Sequence, residues 1–166
     1  MKKLTLSIII SLFFKLSNSQ DKLPSFGKIE KADLEMKDCD FDPGAEALVL
    51  IDVGEIEFSY FEGSGWISST KYRKRIKILK ANALERSEIK MQYMSLNKSE
   101  NIEDIKAVSF NLDPSGNIIK TELEKKAIYR KAIDKNFTEI SFAIPDVKIG
   151  SVFEYDYTVL RKTYSY

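Results

Sequence analysis

Three short clusters in this chain carry side chains of the types that chemistry usually needs. The first is Asp38, Cys39, Asp40 and Asp42, followed by Gly44. Alternating carboxylates could open a calcium loop, but Pro43 stands where such a loop needs glycine and Val49 where it needs a bidentate glutamate. The stretch therefore reads as a solvated turn and not as a metal site. Cys39 lies between two aspartates, whose charge disfavours a thiolate, so it reads as a structural cysteine and not as a nucleophile. The second cluster is the basic run Arg73, Lys74, Arg75, Lys77 and Lys80. On a strand these cations could grip an anionic polymer, with Arg73 and Arg75 as the binding candidates; the competing reading is a charged sheet face neutralised by acids on a neighbouring strand. The third is Trp66, set beside Gly63-Ser64-Gly65. An aromatic side chain in an exposed loop can stack on a sugar or anchor a partner, whereas the alternative is that Trp66 plugs the end of the core. The glycines lack the spacing and the following helix of a phosphate-binding loop.

Missing residue types narrow the chemistry further. The 166 residues include no histidine, which removes serine and cysteine triads built on imidazole, histidine-ligated zinc and an imidazole base. A single cysteine permits no intrachain disulfide. With 26 Lys and Arg against 25 Asp and Glu, no overall field draws the chain to nucleic acid. No catalytic residue, metal or cofactor is predicted, and the chain is expected not to be an enzyme on its own.

The elements that must position these side chains are strands, and Ala45 to Leu79 reads as two or three neighbouring ones. Ala45 to Asp52 is apolar at almost every position, as in a strand covered on both faces. From Gly54 to Phe61, Ile56, Phe58 and Tyr60 alternate with Glu55, Glu57 and Ser59; from Ile67 to Leu79, Tyr72, Ile76 and Ile78 oppose Arg73, Arg75 and Lys77. An antiparallel hairpin that stacks the apolar rows would bring the acidic row beside the basic one. Further strands are predicted over Ser87–Met94, Ile105–Leu112, Ile118–Glu124 and Phe137–Ile144, with Asp113-Pro114-Ser115-Gly116-Asn117 as a reversing turn. Lys125 to Lys135 fits strand or helix equally. Lys28 to Lys37 predicts one short helix. In the last run Phe153, Tyr155, Tyr157 and Val159 form an apolar row, with Glu154, Asp156 and Thr158 facing away. The fold class that follows is mostly β: an antiparallel β-sandwich with one short N-terminal helix. A final strand with no closing signal would leave an open sheet edge. We therefore expect the chain to be the front part of a longer protein and its sandwich to be incomplete.

Lys2 and Lys3 precede the apolar run Leu4 to Phe14, and Ser17-Asn18-Ser19 places small residues before a cut after Ser19. That run falls short of the ~20 residues that span a bilayer. The predicted organisation is a signal peptide at 1–19, a leader with a short helix at 20–44 and the β domain at 45–166. Export to the periplasm, the cell surface or the medium follows, with no membrane attachment after cleavage.

Asp42-Pro43-Gly44-Ala45-Glu46-Ala47-Leu48-Val49-Leu50, Gly54 to Phe58, Arg73 to Leu79 and Pro145 to Tyr155 together resemble domain of unknown function 3857, found at the N-terminus of secreted bacterial transglutaminase-like proteins. The resemblance covers roughly Lys31 to Leu160. It implies a β-sandwich normally followed by a transglutaminase-like core, whose Cys-His-Asp chemistry this chain lacks. The implied function is an accessory or interaction domain, its partner that core in cis in the full-length protein, with a cell-envelope partner in addition. An independent glycan- or peptide-binding module, suggested by Trp66 and the tyrosine-rich last strand, is the alternative.

Overall fold

A computed structural model describes residues 23–63 and 65–163. The predicted signal peptide lies outside them. The described chain is mostly β, with every strand pairing antiparallel. Its elements are the helix α1 (Lys31–Glu35) and strands β1 (Ala47–Phe61), β2 (Gly65–Ile78), β3 (Glu88–Met94), β4 (Glu100–Leu112), β5 (Ile118–Glu122), β6 (Tyr129–Ala132), β7 (Phe137–Ala143) and β8 (Val152–Thr163). One sheet runs β1-β2-β8-β4-β5 and the other β3-β7-β6. The predicted short helix forms where Leu34 finds a buried site. The Asp113 to Asn117 segment makes its turn as expected: the Asp113 carboxylate accepts the Asn117 N–H at 2.8 Å, and Gly116 takes the left-handed φ of 79° that glycine tolerates.

The sheets pack face to face around Ile76, Ile78, Phe153, Ile140, Phe142 and Ile144. Alternation explains this layer, since Ile76 and Ile78 share a side of β2 and meet Phe153 across the β2–β8 pairing. The opposite face of the large sheet is not left to water. Phe26, Ile29 and Leu34, from the leader and α1, cover Val108, Phe110 and Val152 there. The central strands are thus buried on both faces.

Of the two or three strands expected over Ala45 to Leu79, two form, because β1 runs through both Ala45–Asp52 and Gly54–Phe61 with a register shift between Val49 and Ile51. Two expectations about β1 and the last strand are corrected. The first half of β1 is not covered on both faces, since Val49 is exposed. The last strand is not an edge at all. β8 lies between β2 and β4, so its polar row meets neighbours on both sides.

Candidate functional site

Glu154 is fully buried at the centre of β8. Antiparallel register sets it beside Arg75, and Asp156 beside Arg73. Its carboxylate accepts from Arg73 Nε, from Arg75 Nη2 at 3.1 Å and from the Gly27 N–H at 3.0 Å. Arg75 also donates to the carbonyl of Lys28 and lies 3.8 Å from the Asp33 carboxylate. Lys77, equally buried, donates from Nζ to the carbonyls of Leu34 and Gly150, each at 2.7 Å. Gly27, Lys28 and Leu34 all belong to the segment that covers this face. The basic row therefore fastens the leader to the sheet through its backbone.

Burial shapes the charges of this network. It lowers the Lys77 pKa to about 8, although Asp33 pulls the other way. Burial also raises Asp156, against the opposing pull of Lys106 and Lys71, the latter 3.7 Å away. The sequence reading sought the counter-charges of Arg73 and Arg75 on the preceding strand. They lie on β8 instead, because β1 sets Val53 and Ile51 opposite these arginines. Glu154, Asp156 and the anchoring role of Lys77 were all missed. The available signal was the shared spacing of Arg73 and Arg75 with Glu154 and Asp156, two residues apart on strands that both carry apolar rows.

A second constellation is open to solvent. On β1, Ile56, Phe58 and Tyr60 point to one side and are 56%, 61% and 61% exposed; Trp66 on β2, paired with Tyr60, is 47% exposed. Tyr60 and Trp66 meet edge to face with ring centroids 5.4 Å apart. The same side continues inward as a ladder of rings. Tyr72 stacks on Tyr157 at 5.3 Å, Tyr157 on Tyr155 at 6.3 Å, and Tyr155 meets Phe142 of the core at 6.5 Å. Gly54 sits opposite Tyr72, whose ring lies where a side chain on Gly54 would contact it. Two groups of rings thus share this face, one reaching the core and one at the tip of the β1–β2 hairpin, with Ile56, Ser68 and Thr70 between them. Trp66 does not plug the core.

The remaining candidates fall elsewhere. The Asp42 carboxylate accepts the Gly44 N–H at 2.9 Å within an exposed turn, and Cys39 is buried and unpaired. Among the described residues no group of acids, cysteines or histidines converges as metal ligands would. No helix of the described residues is long and apolar enough to cross a membrane.

A two-layer antiparallel sandwich with a stapled leader and an exposed aromatic sheet face defines a small β domain. The chain belongs to the family described as a domain of unknown function with a solved structure, DUF3857, whose model matches residues 68–166. No curated protein matches the chain. Among solved structures it is similar to one from Parabacteroides distasonis named a "putative protease", at 16% identity and a TM-score of 0.47. That match covers 63% of this chain and 21% of the other, so the chain spans about a fifth of its length.

Proposed function

We propose that this chain is an exported, non-catalytic interaction domain whose exposed aromatic face docks against a neighbouring protein domain, by resemblance a transglutaminase-like core in cis. The observation that carries the reading is the row Ile56, Phe58, Tyr60 and Trp66, large apolar side chains clustered on one side of a hairpin. Single exposed apolar residues are ordinary, but a contiguous row on a sheet is the signature of a surface that meets a partner. The placement of charge supports the same reading: Arg75, Lys77 and Glu154 hold the leader in place inside the fold. Export rests on Lys2, Lys3 and the apolar run after them.

The test is to sequence the locus beyond this chain, to mix the domain with any transglutaminase-like polypeptide found there and to measure binding by calorimetry; a locus without one would also overturn the cis reading. Replacing Phe58, Tyr60 and Trp66 with alanine together should abolish the complex while leaving the fold intact by circular dichroism. Unchanged binding, or hydrolysis of a peptide or glycan by the domain alone, would overturn the proposal.

One feature favours a second reading, an independent glycan- or peptide-binding module. A cavity of about 460 Å³ is bordered by Ile67, Tyr93, Leu160 and Arg161 near the same end of β2, although Trp66 itself does not line it. A glycan array run with Trp66→Ala as control separates the two, since docking in cis expects no signal that depends on Trp66.

A further inference from the structure

The exposed row belongs to a strand whose other edge is open. β1 pairs with β2 on one side, and among the described residues no strand pairs with it on the other. Proteins usually blunt such an edge with charged side chains, above all lysine, or with proline, a bulge or a cover. From Glu55 to Phe61 β1 has only the charges of Glu55 and Glu57: the register is continuous, and the segment contains neither lysine nor proline. Its backbone is therefore a free template for one more strand.

The side chains on either side of that template say what the strand would be. Ile56, Phe58 and Tyr60 form the apolar side; Glu55, Glu57 and Ser59 form the other, and all six are exposed. Glu55 faces Lys71 across β1–β2, yet Lys71 turns to Asp156, and neither Glu55 nor Glu57 has a cation within 4.0 Å among the described residues. A second copy of the chain suits the edge poorly, because any pairing that keeps the apolar rows together gathers four carboxylates on one side. We propose that the free edge of β1 captures an extended polypeptide segment that alternates Lys or Arg with apolar residues, the cations meeting Glu55 and Glu57 and the apolar side chains extending the row at Ile56, Phe58 and Tyr60. This rests on the interaction-domain reading and specifies its partner and its mode, strand addition at a sheet edge.

The experiment uses the whole chain and three fluorescein-labelled synthetic peptides of about eight residues, the length of a typical strand. One alternates lysine with valine, one alternates glutamate with valine, and one holds the lysines and valines of the first in two blocks. The alternating basic peptide should raise anisotropy and shift the β1 amide resonances, with the block peptide and the acidic peptide at least about tenfold weaker. The double variant Glu55→Lys with Glu57→Lys, at exposed positions that leave the fold untouched, should invert the preference toward the acidic peptide. Equal binding of alternating and block peptides would reduce the effect to net charge and overturn strand addition. Unchanged preference in the double variant, self-association of the chain without peptide, or no binding at all would each overturn it too. The alanine variant at Phe58, Tyr60 and Trp66 keeps the two readings apart. Loss of the transglutaminase-like partner by that variant, with no peptide captured by the parent chain, would leave face docking standing and remove the edge.

Discussion

Two segments of this chain have almost the same pattern and opposite fates. Glu55-Ile56-Glu57-Phe58-Ser59-Tyr60 and Phe153-Glu154-Tyr155-Asp156-Tyr157-Thr158 both alternate acids with large apolar or aromatic residues. In β8 the acids are buried and its Phe153 lies in the core, whereas in β1 acids and aromatics alike face water. The difference comes from position in the sheet and not from local sequence. β8 is flanked by β2 and β4 and covered by the leader, while the outer half of β1 has one neighbour and no cover. Alternation fixes which side chains share a face; what covers that face is decided by residues far along the chain.

The sharpest way to break the comparison is to remove one acid from each strand. Glu154→Ala leaves Arg73 and Arg75 without their shared carboxylate in a buried site, which should cost about 3–5 kcal/mol. Glu57→Ala removes a solvated charge and should stay within about 0.5 kcal/mol. Urea denaturation of the two variants measures both. Similar costs would mean that the leader does not seal the β8 face in solution.

The seal itself can be tested next. Leu34 packs with Val108, Phe110 and Val152, and its backbone carbonyl receives Lys77. Leu34→Ala should destabilise by about 2–3 kcal/mol and make the segment from 23 to 36 cleavable by protease before the sandwich unfolds. Cleavage only at the global transition would show the leader to be integral to the cooperative unit.

Much of the sandwich was legible because its information is local. The Asp113 to Asn117 turn, the strand stopped by Pro145 and the run Glu88–Met94 carry their signals in neighbouring residues. The site was legible only in part. Trp66 was visible as an odd aromatic beside glycines, but its exposure depends on the core between the sheets ending at the first half of β1, short of the hairpin tip. Arg73 and Arg75 looked like a surface stripe because their partners, Glu154 and the carbonyl of Lys28, are 81 and 47 residues away in sequence, and the matching spacing of Glu154 and Asp156 does not by itself say which strands pair.

Lys77 gives the buried face a pH signature. Its folded pKa of about 8 lies below the ordinary 10.5, so below pH 8 both states hold the proton and the cost of the buried cation is constant. Between 8 and 10.5 the folded chain has released the proton and the unfolded chain still binds it. Stability should therefore rise across that window, by roughly 2 kcal/mol. Tyr155 and Tyr157, both raised chiefly by burial, act in the opposite sense above their ordinary value of 10.0, because the unfolded tyrosines ionise first. The predicted profile climbs from pH 8 and turns over near 10, and Lys77→Met should abolish the climb. Denaturation midpoints measured across this range test it, and a profile unaltered by Lys77→Met would refute the assignment.

The smallest expected effect carries the comparison to the tip of the hairpin. Trp66 has two possible environments with very different energetics: a core plug, whose truncation to alanine costs about 3–5 kcal/mol, or an exposed ring held by one edge-to-face contact, worth about 0.5–1.5 kcal/mol. The observed geometry, half exposed and touching Tyr60, selects the second. Trp66→Ala should therefore destabilise by about 1 kcal/mol, and Tyr60→Ala by a similar amount. The double variant should cost less than the sum, because both substitutions remove the same contact. A double-mutant cycle by urea denaturation measures this. Strict additivity would mean that the rings do not meet in solution, and a Trp66→Ala cost near the core value would return Trp66 to the interior and take the open aromatic face with it.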